Sequence, residues 1–227
     1  MAKRDGKRDE SDAGEPASPN GAADFLPEKP SLQAARDAAS GCRGCGLFRH
    51  ATQTVFGEGA PHARIMLVGE TPGDREDLAG RPFVGPAGQL LDRALEAAEI
   101  DRSTVYVTNV VKHFKWEPRG KRRLHKRPLP SEIGACMPWL RMEIDLVRPE
   151  IIVCLGATAG QALFGSRFSV TRERGRFLAS RYAPFALATL HPSALLRITE
   201  RDARREAFER FVADLKVVHD AKRKPSP

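Results

Sequence analysis

Five stretches of this 227-residue chain carry side chains able to do chemistry. CRGC places Cys42 and Cys45 at a spacing that lets two thiolates grip one metal centre. GETPGDRED (69–77) sets Gly69, Glu70, Thr71 and Asp74 in a Gly/Pro turn. TNVVKH (108–113) offers the amide of Asn109 and the imidazole of His113. KRRLH (121–125) follows Arg122 and Arg123 with His125, and LHPSALLR (190–197) holds His191 and Arg197. Carboxylates, amides and imidazoles move protons and stabilise developing charge, and a neutral imidazole nitrogen is also a nucleophile. Any one of them also has a blander use as a turn, cap or satisfied surface residue. GETPG lacks the GK[ST] of a phosphate-binding loop and is not GxGxxG, which disfavours a nucleotide cofactor.

These residues need a frame. ARIMLVGE (63–70) is an apolar run ending in a turn signal and predicts a buried strand. PAGQLLDRALEAAEI (86–100) puts Leu90, Leu91, Ala94, Leu95 and Ala98 on one helical face, with Pro86 at its start. TVYVTNVV (104–111) is β-branched and strand-like. SEIGACMPWLRMEIDLV (131–147) predicts a helix capped by Ser131, with Pro138 as a point of kinking. EIIVCLGATA (150–159) runs from strand to turn and helix, FALATLHPS (185–193) from strand to polar loop. RDARREAFERFVADLKVV (201–218) closes the chain as an amphipathic helix. Strands alternating with helices give an α/β fold, three layers (α/β/α) around a mainly parallel four-stranded sheet. Ligands of such sheets bind at the carboxyl ends of the strands. Those ends are GETPGDRED, TNVVKH with the basic run, LGATA and TLHPSALLR, so Glu, Asn, His and Arg side chains converge on one crevice.

Composition bounds the partners. The formal charge is +8, and Lys112 to Arg127 alone holds eight Lys/Arg against one acid, a net of +7. Basicity this local points to a site for an anionic partner. No apolar run reaches the roughly 20 residues of a membrane span, and the N-terminus lacks the apolar core of a secretory signal. Cytoplasmic placement is expected. Residues 1–25 and 221–227 are expected to be disordered tails around one domain at 26–220. Four cysteines in such a chain favour metal ligation over disulfides. KRRLHKR also reads as a localisation signal, a reading its place between a strand and a helix disfavours.

Three motifs in order, GETPGDREDLAGRPFVGPAGQLLDRALEAA, YVTNVVKHFK and LHPSALLR, resemble the family-four branch of the uracil-DNA glycosylase superfamily over about residues 40 to 218. The KRRLH segment resembles the KRRIH insertion of its UdgX subgroup, with Leu124 for Ile. Thr71 stands where that subgroup carries Gln, which leaves the contact of that Gln side chain open. The resemblance implies uracil-containing DNA as partner; a preference for single strands and a monomeric state are expectations that the sequence itself does not decide. The resemblance also implies that the protein becomes covalently trapped on its product. A third cluster ligand is implied at His113 and a fourth at Cys136, joining Cys42 and Cys45 around a 4Fe–4S cluster, with Cys154 structural. Composition alone equally suits a Cys₃His zinc site.

An enzyme acting on a base must flip it or use single strands. Phe83 is then a stacking ring, or else a core Phe. Asn109 can pair with both O4 and N3–H of uracil, because an amide both accepts and donates. His191 can donate to uracil O2 as charge develops there. Glu70 stands by the sugar, where a carboxylate steadies a cation and orients a nucleophile. His125 is then a nucleophile toward C1′, while Arg122, Arg123 and Arg197 grip phosphates. The alternatives are a glycosylase with ordinary turnover and a non-catalytic nucleic-acid-binding module.

Overall fold

A computed structural model of the protein describes residues 17–222. In chain order the strands are β1 (Glu58–Gly59), β2 (Ile65–Gly69), β3 (Val105–Asn109), β4 (Trp116–Arg119), β5 (Arg122–His125), β6 (Ile151–Leu155), β7 (Phe177–Leu178) and β8 (Phe185–Thr189). The α-helices are α1 (Leu32–Ser40), α2 (Asp74–Ala79), α3 (Pro86–Ala97), α4 (Pro130–Val147), α5 (Ala157–Phe164), α6 (Val170–Glu173), α7 (Pro192–Leu196) and α8 (Arg201–Lys222).

The four apolar runs expected as strands pair in parallel, in the order β3-β2-β6-β8. Two-residue strands β1 and β7 add antiparallel edges, so the sheet has six strands rather than four. Segments that short carry no readable period, and they leave little open edge. Alternate residues of the central strands enter opposite layers. Met66, Val68, Tyr106 and Ile152 pack with α1, α4 and α5. Ile65, Leu67, Val105, Val107 and Val153 pack with α3, α7 and α8. Burial on both faces explains why these strands read as unbroken apolar runs.

Three boundary expectations change. Residues 17–25 are ordered, not a tail: Gly21–Phe25 forms a 3₁₀ turn packed on α4, with Ala22 buried. Small residues permit that close packing but look disorder-prone by composition. Residues 1–16 and 223–227 lie outside the described residues, and α8 runs on through the start of the expected C-terminal tail to Lys222. Helix α4 starts at Pro130, so Ser131 lies inside it. The Leu129 N–H is met by Glu132 Oε2 at 2.6 Å instead, and the helix continues through Pro138. Among the described residues no helix is long and apolar enough to cross a membrane.

The basic run is not an open loop. Strands β4 and β5 pair antiparallel as a separate hairpin, with Trp116 opposite His125. Gly120 and Lys121 make the turn, and Gly120 has φ 59°, a left-handed conformation that glycine adopts without strain.

Candidate active site

From β2 the chain crosses to β3 on one side of the sheet, and from β3 back to β6 on the other. A crevice must open where the order reverses, at the carboxyl ends of β2 and β6. Glu70 leaves the end of β2 there, and Thr158 at the start of α5 donates its hydroxyl proton to Glu70 Oε2. The Val111 N–H holds the Glu70 carbonyl at 3.0 Å. The expected convergence is found beside it. A cleft of about 420 Å³ is lined by Thr71, Asp74, Glu76, Phe83, Asn109, His125, His191 and Arg197, among others.

The inner end of the cleft is built by close approach. Asn109 and Phe83 are both buried, and a Cβ on Gly69 would sit 2.3 Å from Asn109 Oδ1 and 2.7 Å from Phe83 Cζ. Only glycine lets the amide and the ring meet over β2. Phe83 itself has φ 56°, strained for a non-glycine residue, and Glu76 Oε1 holds its loop by accepting the Gly85 N–H at 2.7 Å. The Phe83 ring lies 6.1 Å from the His191 ring at an interplanar angle of 28°.

His191 caps α7. Its Nδ1 accepts the Ser193 N–H at 3.1 Å, so the ring proton sits on Nε2 and is available to donate. Burial first, then His125 and Arg197, lower its pKa to about 4, so the ring is neutral at pH 7. His125 stands at the mouth with 38% of its side chain exposed, and its Nε2 lies 4.0 Å from Glu70 Oε1. Burial also lowers its pKa, with Arg197 assisting and Glu70 and Glu76 opposing. Two neutral imidazoles thus face the cleft, and His125 lies beside the Glu70 carboxylate.

The basic residues divide into two kinds. Lys112, expected within the anionic-partner patch, is wholly buried against Glu143. Lys115 pairs with Glu132 and Lys126 with Glu117. Arg123, expected on phosphate, is committed instead: its Nε meets Asp74 Oδ1 at 2.6 Å and its Nη1 meets the fully buried Asp77 at 2.7 Å. The guanidinium also lies over the rings of Phe114 and Trp116. Breaking a buried pair is costly, so these contacts outweigh a solvent-exposed phosphate contact. Arg123 and Asp74 therefore hold the hairpin against α2. Arg119, Lys121 and Arg122 stay exposed at the hairpin tip, and Arg197 at the cleft rim. Thr71 lines the cleft, and its hydroxyl is spent on the His113 carbonyl, to which it donates at 2.8 Å.

Among the described residues no three His, Cys, Asp or Glu side chains close on a single metal ion. The chemistry of the donors nevertheless suits a thiolate-held group. Burial raises the pKa of Cys45 and of Cys136; Cys42 lies near enough to raise that of Cys45 further, and Cys42 and Cys45 that of Cys136. The Trp139 indole N–H points at Cys42 Sγ (3.2 Å) and the Lys112 N–H at Cys136 Sγ (3.3 Å), the outer contacts that steady thiolates. His113 is buried, with Nε2 2.9 Å from Thr54 Oγ1. Because that hydroxyl donates to the Ala39 carbonyl, His113 donates from Nε2 and keeps its lone pair on Nδ1. Burial lowers its pKa to about 4.

Sequence reasoning passed over Glu76, Arg127 and Thr158. Thr158 lies in LGATA, a strand end that the carboxyl-end rule already marks, but a small threonine in a turn gives no signal of its own.

Residues 56–216 match the family model described as the uracil DNA glycosylase superfamily. The chain is 40% identical over 169 residues to the type-4 uracil-DNA glycosylase of Thermotoga maritima, covering 74% of this chain and 84% of that one. It is likewise 40% identical over 174 residues to the type-4 enzyme of Sulfurisphaera tokodaii, covering 73% and 76%. It is 32% identical to the type-5 uracil-DNA glycosylase of Thermus thermophilus over 190 residues, covering 74% and 79%. The match spans every element that lines the cleft, and the chain belongs to the uracil DNA glycosylase superfamily.

Proposed function

We propose that this protein excises uracil from DNA and is then joined through His125 to C1′ of the sugar left behind. The relatives' activity supports the first step, and so does a cleft with a buried amide, an aromatic ring and a histidine donor. The observation that carries the second is the place of His125, 4.0 Å from Glu70 at the mouth of that cleft.

Uracil enters against Phe83, with Asn109 pairing to its O4 and N3–H. The C1′–N1 bond breaks and its electron pair goes to uracil, whose O2 accepts a hydrogen bond from His191 Nε2. Glu70 faces the sugar cation. The unprotonated nitrogen of His125 gives its lone pair to C1′, competing with water. The alkylated ring gives up its remaining proton to solvent as uracil takes one. An imidazole joined in this way is a poor leaving group, so the protein stays attached. The tip residues Arg119, Lys121 and Arg122, with Arg197, meet phosphates in a salt-sensitive way.

The test is a denaturing gel after incubation with uracil-containing single-stranded DNA. A band stable to SDS is expected. Uracil release with multiple turnovers and no such band overturns the reading. The rate of band formation should follow unprotonated His125. Because its pKa is lowered from 6.5, the rate should stay flat as pH falls through 6.5 and drop only below it.

The same reading gives Cys42, Cys45, His113 and Cys136 to a 4Fe–4S cluster, which would tie the N-terminal segment and β3 to α4. The purified protein is expected to be brown and to contain iron and acid-labile sulfide. Stoichiometric zinc without iron would contradict this.

A further inference from the structure

On a strand, residues two apart share a face. Arg123, His125 and Arg127 alternate along β5 and its continuation, which the Lys126 N–H extends by bonding to the Lys115 carbonyl at 2.8 Å. Arg123 reaches α2 on one side of the cleft. Arg127 reaches α5 on the other, its Nε donating to Thr158 Oγ1 (3.1 Å) and its Nη2 to Gln161 Oε1 (3.2 Å). His125 is slung between the two.

The second anchor meets the carboxylate. Thr158 is 2% exposed, and its hydroxyl has one proton to give. With Arg127 donating to its oxygen, that proton is committed to Glu70 Oε2. Arg127 Nε also lies 4.0 Å from the same oxygen. Glu70 Oε1 is left as the oxygen that faces His125. An untethered carboxylate would rotate and present either oxygen.

We infer that Thr158, oriented by Arg127, is a positioning residue that fixes which oxygen of Glu70 faces the sugar and His125. Through Glu70 it sets how often the sugar cation is captured by His125 rather than by water. This rests on the covalent reading given above.

The experiment measures single-turnover uracil release and the ratio of SDS-stable adduct to uracil released. It compares wild type with Thr158→Val, which keeps the shape, and Thr158→Ser, which keeps the hydroxyl. Thr158→Val should slow release roughly tenfold and lower the ratio by a similar factor, the weight of a hydrogen bond to a charged group. Thr158→Ser should restore both, and melting temperatures should not follow this order. Arg127→Met, at an exposed side chain, should lower the ratio in the same direction, and decides the matter if Thr158→Val does not fold. An unchanged ratio and rate in the folded variants overturn the inference. If wild type releases uracil without adduct, the covalent reading fails, and the release rate alone then decides. A slowed Thr158→Val rescued by Thr158→Ser supports positioning, and an unchanged rate refutes it.

Discussion

His125→Ser is expected to form no SDS-stable adduct while still releasing uracil. The substitution removes the imidazole that β5 brings within 4.0 Å of Glu70, yet leaves Asn109, Phe83 and His191 in place at the inner end of the cleft. In the proposed mechanism those residues recognise the base and break the bond. What changes is the group waiting for C1′. Serine is smaller than imidazole, and its hydroxyl is protonated and weakly nucleophilic, so water enters beside Glu70 and completes hydrolysis. Turnover should therefore appear where the proposed mechanism expects a stoichiometric burst from wild type. The measurement pairs the gel with a free-uracil assay on the same samples. A variant that traps DNA as wild type does would place the nucleophile elsewhere. One that releases no uracil would make His125 necessary for bond cleavage itself.

The second large effect concerns stability. Lys112 and Glu143 are 1% and 0% exposed, an ion pair sealed in the layer between the sheet and α4. Lys112 Nζ also donates to Thr108 Oγ1 and to the Asn109 carbonyl, each at 2.7 Å. Glu143 accepts from the Gly57 N–H, the Tyr106 hydroxyl and Thr108. The network is nearly saturated, so removing one charge strands the other. Lys112→Met should cost about 3–5 kcal/mol, the usual penalty for an unpaired buried charge. The double variant Lys112→Met/Glu143→Leu should lose less than Lys112→Met alone, because neither charge is then left unpaired. Denaturant melts of the two variants check this. Additive losses would mean that the pair is not coupled.

Legibility followed burial. The four parallel strands and α3 were readable because both faces of the strands, and one face of the helix, are apolar in sequence. The strand-end rule then gathered Glu70, Asn109, His125 and His191 correctly. The hairpin was unreadable as strand: WEPRGKRRLH has no apolar alternation, and its conformation comes from the Gly120 turn and from arginines gripping other elements. For the same reason charge misled. A run of eight cations looks like one patch, but Lys112 and Arg123 are bound to buried carboxylates that lie far away in sequence. Thr158 was missed because what matters is whom its hydroxyl meets.

Among the described residues the hairpin's strands pair only with each other, and side chains such as Arg123 join it to the rest of the protein. Such a part can be gained or lost in one insertion or deletion without disturbing the sheet beneath it. On the covalent reading proposed above, lineages of this superfamily would then diverge between releasing a product and holding it in a single genetic event. No slow remodelling of the sheet and its cleft would be required.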